Sequence, residues 1–252
     1  MKREAHNGSL EYNGQAAADK FVLNCTNFKR NGYFLELGSR HFKNNNNSYI
    51  LEKTFNWKGV MVEYDRSHLT DYKTHRSNSI HIMEDARLID YRKIFEENDF
   101  PLDLDFWQLD LYTSDNSAYE TLTKINEEIL NDYKFATITF EHDFFSGIEN
   151  SINTRTKSRE ILKERGYLCV FEDIIDPPEL QVPVWPYEDW WVHPELVDMS
   201  YIKSLKQKNE NKYFSEAKSA YPKRPPIGTF KEAGWVPTEE CPRCFKAYKI
   251  EY

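Results

Sequence analysis

A chain of 252 residues, 40% hydrophobic and 29% charged, has enough apolar material to bury a real core, so its composition is globular and not disordered. Its 41 acidic residues against 33 basic ones give a formal charge of −8, which repels phosphate backbones and disfavours nonspecific nucleic-acid binding. No apolar run approaches the roughly 18 to 20 residues that span a bilayer, and the polar first fifteen or so residues lack the apolar stretch of a signal peptide.

Alternating strand and helix signals run from residue 16 to residue 185. The spacing of Phe21, Cys25 and Phe28 predicts a helix over about 16–29, closed at Asn31-Gly32 because glycine takes the left-handed cap without steric cost. A short apolar strand follows over 33–37 and ends at Gly38. The pattern then gives a helix over 48–55, a turn over 56–59 and a second strand over 60–64. Third and fourth strands are expected over 79–83 and 104–109. Ala118, Leu122, Ile125 and Ile129 recur at helical spacing, and 135–140 reads as a fifth strand, rich in Thr, Ile and Phe. Ile161 and Leu162 belong to a further helix stopped by Gly166, ahead of a sixth strand over 167–171. Strands that alternate with helices imply a parallel sheet covered on both faces, since each parallel crossover needs a helix to return the chain.

Beyond residue 176 the texture changes. Prolines 177, 178, 183, 186 and 194 interleave with Trp185, Tyr187, Trp190 and Trp191, which forbids continuous helix and suggests an irregular extension with one helix over about 195–206. The expected division is therefore an N-terminal segment and helix (1–31), a core (32–185) and a C-terminal extension (186–252). Cys241 and Cys244 form a C-x-x-C pair with no matching pair nearby, so ordinary thiols are expected there, and Cys25 and Cys169 read as core. Four cysteines make no disulfide framework in a chain this long, which places the protein in a reducing, cytoplasmic setting.

In an open α/β sheet, ligands bind outside the carboxyl ends of the strands, where the strand order reverses. That rule selects Glu36, Gly38 and Ser39 after the first strand and Glu63, Tyr64 and Asp65 at the second. It selects Glu84, Asp85 and Ala86 after the third, Asp110 after the fourth, and Glu141, His142 and Asp143 after the fifth. A glycine turn, a helix and a strand ending in an acid suit a nucleoside: the glycine lets backbone approach the ligand and the carboxylate accepts ribose hydroxyls. A dinucleotide fold normally shows G-x-G-x-x-G to seat a pyrophosphate on a helix N-terminus. Gly38 is followed by Ser39-Arg40-His41-Phe42-Lys43 with no second glycine, which disfavours an NAD(P)-dependent reductase and favours S-adenosylmethionine.

The stretch GYFLELGSRHFKNNNNSYILEKTFNWKGVMVEYD (32–65) resembles the opening of the FkbM-type methyltransferases, with its acid-x-Gly turn and a W-x-G before a strand ending in Glu. The resemblance continues through DFWQLDLYTSDNSAYETL (105–122), TITFEHD (137–143) and the region of REILKERGY (159–167), covers about 32–172, and weakly reaches EDWWVHP (188–194). It implies a Rossmann-like class I methyltransferase fold, a doubly wound and mostly parallel sheet with helices on both faces, followed by the irregular aromatic and Pro-rich extension. It implies that Glu36 and Gly38 form the first cofactor motif, that Glu63 binds the ribose, that Asp85 and Ala86 border the adenine, and that Asp110 lies near the methyl donor. The sequence departs from the family at Tyr112-Thr113, where Glu-Gly is common, and its first motif is poor in glycine.

Methyl transfer from a sulfonium is an in-line displacement that needs a positioned nucleophile and a proton acceptor. His142 is the leading candidate base, because neutral imidazole titrates near working pH, and Asp110 is the second, as base or orienter. Asp110 with Glu141 or Asp143 offers oxygen ligands of the kind that suit a divalent cation such as Mg²⁺. His142 bridging backbone groups at a strand end, and Asp115 with Asn116 capping the helix near Ser117, are the plain structural alternatives. The Trp185–Trp191 aromatics with Glu188 and Asp189 suit either a sugar platform or a packed lid. The resulting expectation is an S-adenosylmethionine-dependent O-methyltransferase acting on a small molecule or glycan, with a saccharide hydroxyl as acceptor. A degenerate methyltransferase fold kept as a binding or scaffold protein is the alternative.

Overall fold

The computed structural model describes residues 10–175 and 186–214. Seven strands form one sheet: β1 (Tyr33–Leu37), β2 (Lys58–Val62), β3 (Ser79–Ile82), β4 (Asp103–Leu109), β5 (Lys134–Glu141), β6 (Leu168–Ile175) and β7 (Pro186–Val192). The order is β3-β2-β1-β4-β5-β7-β6, parallel except for β7, which runs antiparallel between β5 and β6. This is the doubly wound, Rossmann-like arrangement of a class I methyltransferase fold.

Among the described residues seven α-helices cover the sheet: α1 (Ala18–Cys25), α2 (Tyr49–Phe55), α3 (Leu69–His75), α4 (Tyr91–Glu97), α5 (Ser117–Glu128), α6 (Glu149–Glu164) and α7 (Met199–Phe214). Period-two alternation sends successive strand residues to opposite faces and so builds two cores. Phe34, Met61, Phe106 and Trp190 pack with Phe21, Ile50, Tyr72 and Ile202 of α1, α2, α3 and α7. Leu35, Val60, Trp107 and Trp191 pack with Phe95, Leu122 and Leu162 of α4, α5 and α6. Among the described residues no helix is long and apolar enough to cross a membrane.

Three differences from the sequence reading have physical causes. The first helix is shorter than 16–29, because Asp19 turns back to accept the Asn13 and Gly14 amides and Ala16 and Ala17 are left-handed (φ 46 and 61). At its other end Asn27 and Phe28 are also left-handed, and the Phe28 amide closes on the Leu23 carbonyl at 2.7 Å. The division at residue 185 falls just ahead of β7, which lies inside the sheet. Pro186 opens that strand and Pro194 follows it, where proline costs no ladder hydrogen bond, so the prolines bracket a strand instead of excluding one. Tyr187, Trp190 and Trp191 are therefore core, not a sugar platform, while Trp185, Cys241 and Cys244 lie outside the described residues. Helices α3 and α4, each seven residues long, carry too short an apolar stripe to announce themselves.

Candidate functional site at the carboxyl edge of the sheet

The strand order reverses between β1 and β4, so the ligand crevice of this topology lies outside their carboxyl ends. Gly38 leaves β1 with φ +80, a conformation that favours glycine, and a Cβ there would stand 1.8 Å from the Asp110 carbonyl oxygen. Its amide and that of Ser39 both donate to the Val62 carbonyl, at 3.0 and 3.1 Å. Gly38 thus lets the ends of β1, β2 and β4 meet.

The loop beyond Gly38 is held from beneath by Glu36. This carboxylate is fully buried and accepts from Asn46 Nδ2 (2.9 Å) and the Ser48 amide (3.1 Å). Burial raises its pKa, opposed by the nearby Arg76 guanidinium. Arg76, also fully buried, donates to Glu52, Asn46, Ser48 and the Phe42 carbonyl. Glu36 consequently shapes the loop after β1 from inside, and Ser39, buried behind it, donates its hydroxyl to the Glu36 carbonyl. Sequence reasoning missed Arg76, which no strand-end rule selects.

Glu63 follows β2. One carboxylate oxygen accepts the Arg40 amide (2.7 Å) and the other the Asp65 amide (2.9 Å). A carboxylate offers about four acceptor positions, so each oxygen keeps capacity for one more donor. Tyr64 beside it is 76% exposed. At the end of β3, Ala86 is buried, and the Asp85 carboxylate is engaged by the Arg87 amide and guanidinium, which hold its pKa below the ordinary range. Leu88, 73% exposed on the same turn, is a surface apolar residue that the sequence reading passed over.

Asp110 and Glu141, at the ends of β4 and β5, lie close enough for each to influence the other's charge, as does Asp143. Burial, and then the charge of Asp143, push Asp110 up to about 6; burial and both carboxylate neighbours push Glu141 well above its ordinary value. Both carboxyls are therefore more basic than an isolated acid.

The structure does not give His142 the role of base. The ring is fully buried, and Nδ1 accepts from the Phe144 amide at 3.2 Å, which leaves the proton of the neutral ring on Nε2. Nε2 faces Asp189 Oδ1 at 3.4 Å and Asp173 Oδ1 at 3.8 Å. Arg159 is bidentate on Asp189 and Arg155 on Asp173. Burial alone would raise Asp189, but the His142 ring and Arg159 outweigh it and hold that carboxylate well below its ordinary range. Glu188 accepts from the Trp190 indole at 2.7 Å, so neither acid of β7 is turned to a sugar.

Among the described residues, the group whose ligand atoms all lie within 4.8 Å of one another is His142, Asp173 and Asp189, and its carboxylates are already neutralised by two arginines. The divalent cation expected at Asp110 with Glu141 or Asp143 has no such three-ligand group behind it.

No family model and no curated protein matches the sequence. Among solved structures the chain is similar to a cofactor-bound protein from MTB (TM-score 0.48, 10% identity, covering 76% of this chain and 84% of that one). It is similar to a protein assigned as an rRNA-methylase from Clostridium thermocellum (TM-score 0.45, 10% identity, 73% and 99% covered). It is also similar to precorrin-6y C5,15-methyltransferase from Geobacter metallireducens GS-15 (TM-score 0.41, 15% identity, 69% and 86% covered).

Proposed function

We propose that this chain is an S-adenosylmethionine-dependent methyltransferase of the FkbM type that methylates a hydroxyl oxygen, with a saccharide or glycan as acceptor. The observation that carries the reading is the edge outside β1 and β4, where Gly38 folds against Asp110 and burial raises the Asp110 and Glu141 carboxyls. Glu63, one strand away, keeps acceptor capacity for two ribose hydroxyls. Gly38-Ser39-Arg40 provides no phosphate cradle, which suits a nucleoside and not a dinucleotide. The resemblance over 32–172 supports the same reading and alone supplies the acceptor class. The cytoplasm is the proposed compartment, in keeping with a cysteine content too low for a disulfide framework.

A bound S-adenosylmethionine would supply a methyl group on a sulfonium, open to in-line displacement by an acceptor oxygen. Glu63, with Tyr64 exposed beside it, would help to hold the nucleoside. Asp110 takes the acceptor's proton as the oxygen–methyl bond forms, and its elevated pKa brings it nearer working pH than an ordinary carboxylate. No step passes through a divalent cation.

Calorimetric titration with S-adenosylhomocysteine tests this, with NADH as control. Saturable binding that Glu63→Ala weakens by about 1.5–3 kcal/mol, the range for hydrogen bonds to a charged group, is the expected result. A folded wild-type chain that does not bind overturns the assignment and leaves the scaffold alternative.

A further inference from the structure

The loop after β1 carries an arginine where glycine would be the easier residue. Arg40 has φ 47, in the left-handed region, two residues beyond Gly38 at φ +80. Glycine takes that conformation freely, whereas a Cβ there crowds the following carbonyl oxygen. Among the described residues, the other non-glycine positions of this kind fall to Asn, Asp, Ala and Phe, so Arg40 is the one with a long charged side chain. The turn itself gives no reason for an arginine.

The Arg40 backbone is pinned from two sides. Its amide donates to Glu63 Oε2 at 2.7 Å, and its carbonyl accepts from the hydroxyl of the fully buried Tyr72 of α3 at 2.5 Å. A strained residue persists only where its surroundings over-determine it, and such residues cluster at ligand sites. The pins fix where the side chain starts but leave the guanidinium uncommitted: Arg40 is exposed, and its side chain makes no hydrogen bond or ion pair among the described residues. Arg76, Arg87, Arg92, Arg155, Arg159 and Arg165, by contrast, all donate theirs within the fold. Arg40 also favours the ionised form of Asp110, which agrees with a side chain on the crevice side of the loop.

We infer that Arg40 is a ligand-binding residue whose guanidinium takes the carboxylate at the amino-acid end of the methyl donor. This rests on the proposed reading for the identity of that donor. With the ribose at Glu63 and the methyl group beside Asp110, the amino-acid arm branches from the sulfur between them, and the β1 loop that carries Arg40 lies between β2 and β4. A guanidinium is charged at every working pH and presents a planar fork that meets a carboxylate with two parallel hydrogen bonds. A lysine would supply the charge without the fork.

The test is calorimetric titration of the full chain with S-adenosylhomocysteine and with its decarboxylated analogue, in wild type, Arg40→Gln, Arg40→Lys and Arg66→Gln. Arg66 is the control: it is exposed on the loop after β2, has no side-chain partner among the described residues and is not left-handed. Wild type should prefer the carboxylate-bearing ligand at least tenfold, the size expected of a hydrogen-bonded charge pair. Arg40→Gln should erase that preference by weakening S-adenosylhomocysteine alone, Arg40→Lys should keep part of it, and Arg66→Gln should keep all of it. A preference that survives Arg40→Gln, an equal loss for both ligands in that variant, or a preference that Arg66→Gln also erases overturns the assignment. Should Arg40→Gln fail to fold, Arg40→Gly removes the same side chain at a φ that suits glycine, and a preference retained there overturns the assignment as well. A wild type that binds both ligands equally overturns this inference and leaves the proposed function standing, whereas a folded wild type that binds neither overturns both.

Discussion

Gly38→Ala is the substitution to which the carboxyl edge should be most sensitive. Two costs add at this position. A left-handed alanine costs about 1–2 kcal/mol. The new Cβ would stand 1.8 Å from the Asp110 carbonyl oxygen, and both partners are backbone, so strand ends must part by about 1 Å before contact becomes tolerable. Overpacking of that kind costs about 1–3 kcal/mol, for a total of roughly 2–5 kcal/mol. Gly147→Ala is the matched control: its φ is +66 with nothing within 4 Å of the added Cβ, so it bears the conformational cost alone. Each kcal/mol moves the melting temperature of a domain this size by about 2–4 °C, so thermal unfolding resolves the two variants. The displaced atom belongs to Asp110, and a 1 Å displacement costs a positioned site about a hundredfold, so S-adenosylhomocysteine affinity should fall at least tenfold in Gly38→Ala and stay unchanged in Gly147→Ala. Equal melting temperatures for the two variants, or full affinity in Gly38→Ala, would refute the close approach of β1 to β4 as the basis of the site.

Two other perturbations test the scaffold beneath that edge. Arg76→Met strands Glu52, and Glu36 close by, as buried acids without their cation, and should cost about 3–5 kcal/mol in urea unfolding; adding Glu52→Gln should recover part of the loss. Burial raises Asp19 to about 6 from an ordinary 3.8, against the amides that favour its ionised form. A carboxyl whose folded pKa exceeds its unfolded value contributes fully below pH 4 and loses that contribution as pH rises through 6. Stability should therefore fall across that window by up to about 3 kcal/mol, and Asp19→Asn should flatten that part of the slope in denaturation at pH 4.5 and 7.

The sequence carried the sheet well where burial on both faces makes a strand a continuous apolar run. The first strand, 33–37, coincides with β1, and the third, fourth and fifth fall within a residue at each end of theirs. β7 was hidden because its two tryptophans serve opposite cores and its flanking prolines read as loop chemistry. Strand-end logic placed Gly38, Glu63, Asp110 and Glu141 at one edge, because it depends only on topology. It misjudged His142, since the partners that fix its ring, Asp173, Asp189 and the Phe144 amide, come mostly from strands whose pairing no local pattern declares. Asp115 was read correctly as a cap, accepting the Ser117 amide and hydroxyl, because capping is local.

Charge gives the edge its direction. Several carboxylates inside the fold are answered by the chain's own cations: Glu52 by Arg76, Asp105 by Lys29, Asp173 and Asp189 by Arg155 and Arg159. At the crevice, Asp110 and Glu141 are instead raised by burial and by neighbouring negative charge. An opposite charge arriving near such an acid favours its ionised form and drives its proton off. On the proposed reading, the incoming charge is a sulfonium, which has no proton to lose and remains cationic at every working pH. Methyl donor and proton acceptor would then be coupled, with the acids losing a proton as the cation enters, so that Asp110 would act as a base only when there is a methyl group to transfer. A fixed arginine ion pair at Asp110 would leave it permanently ionised and remove that dependence.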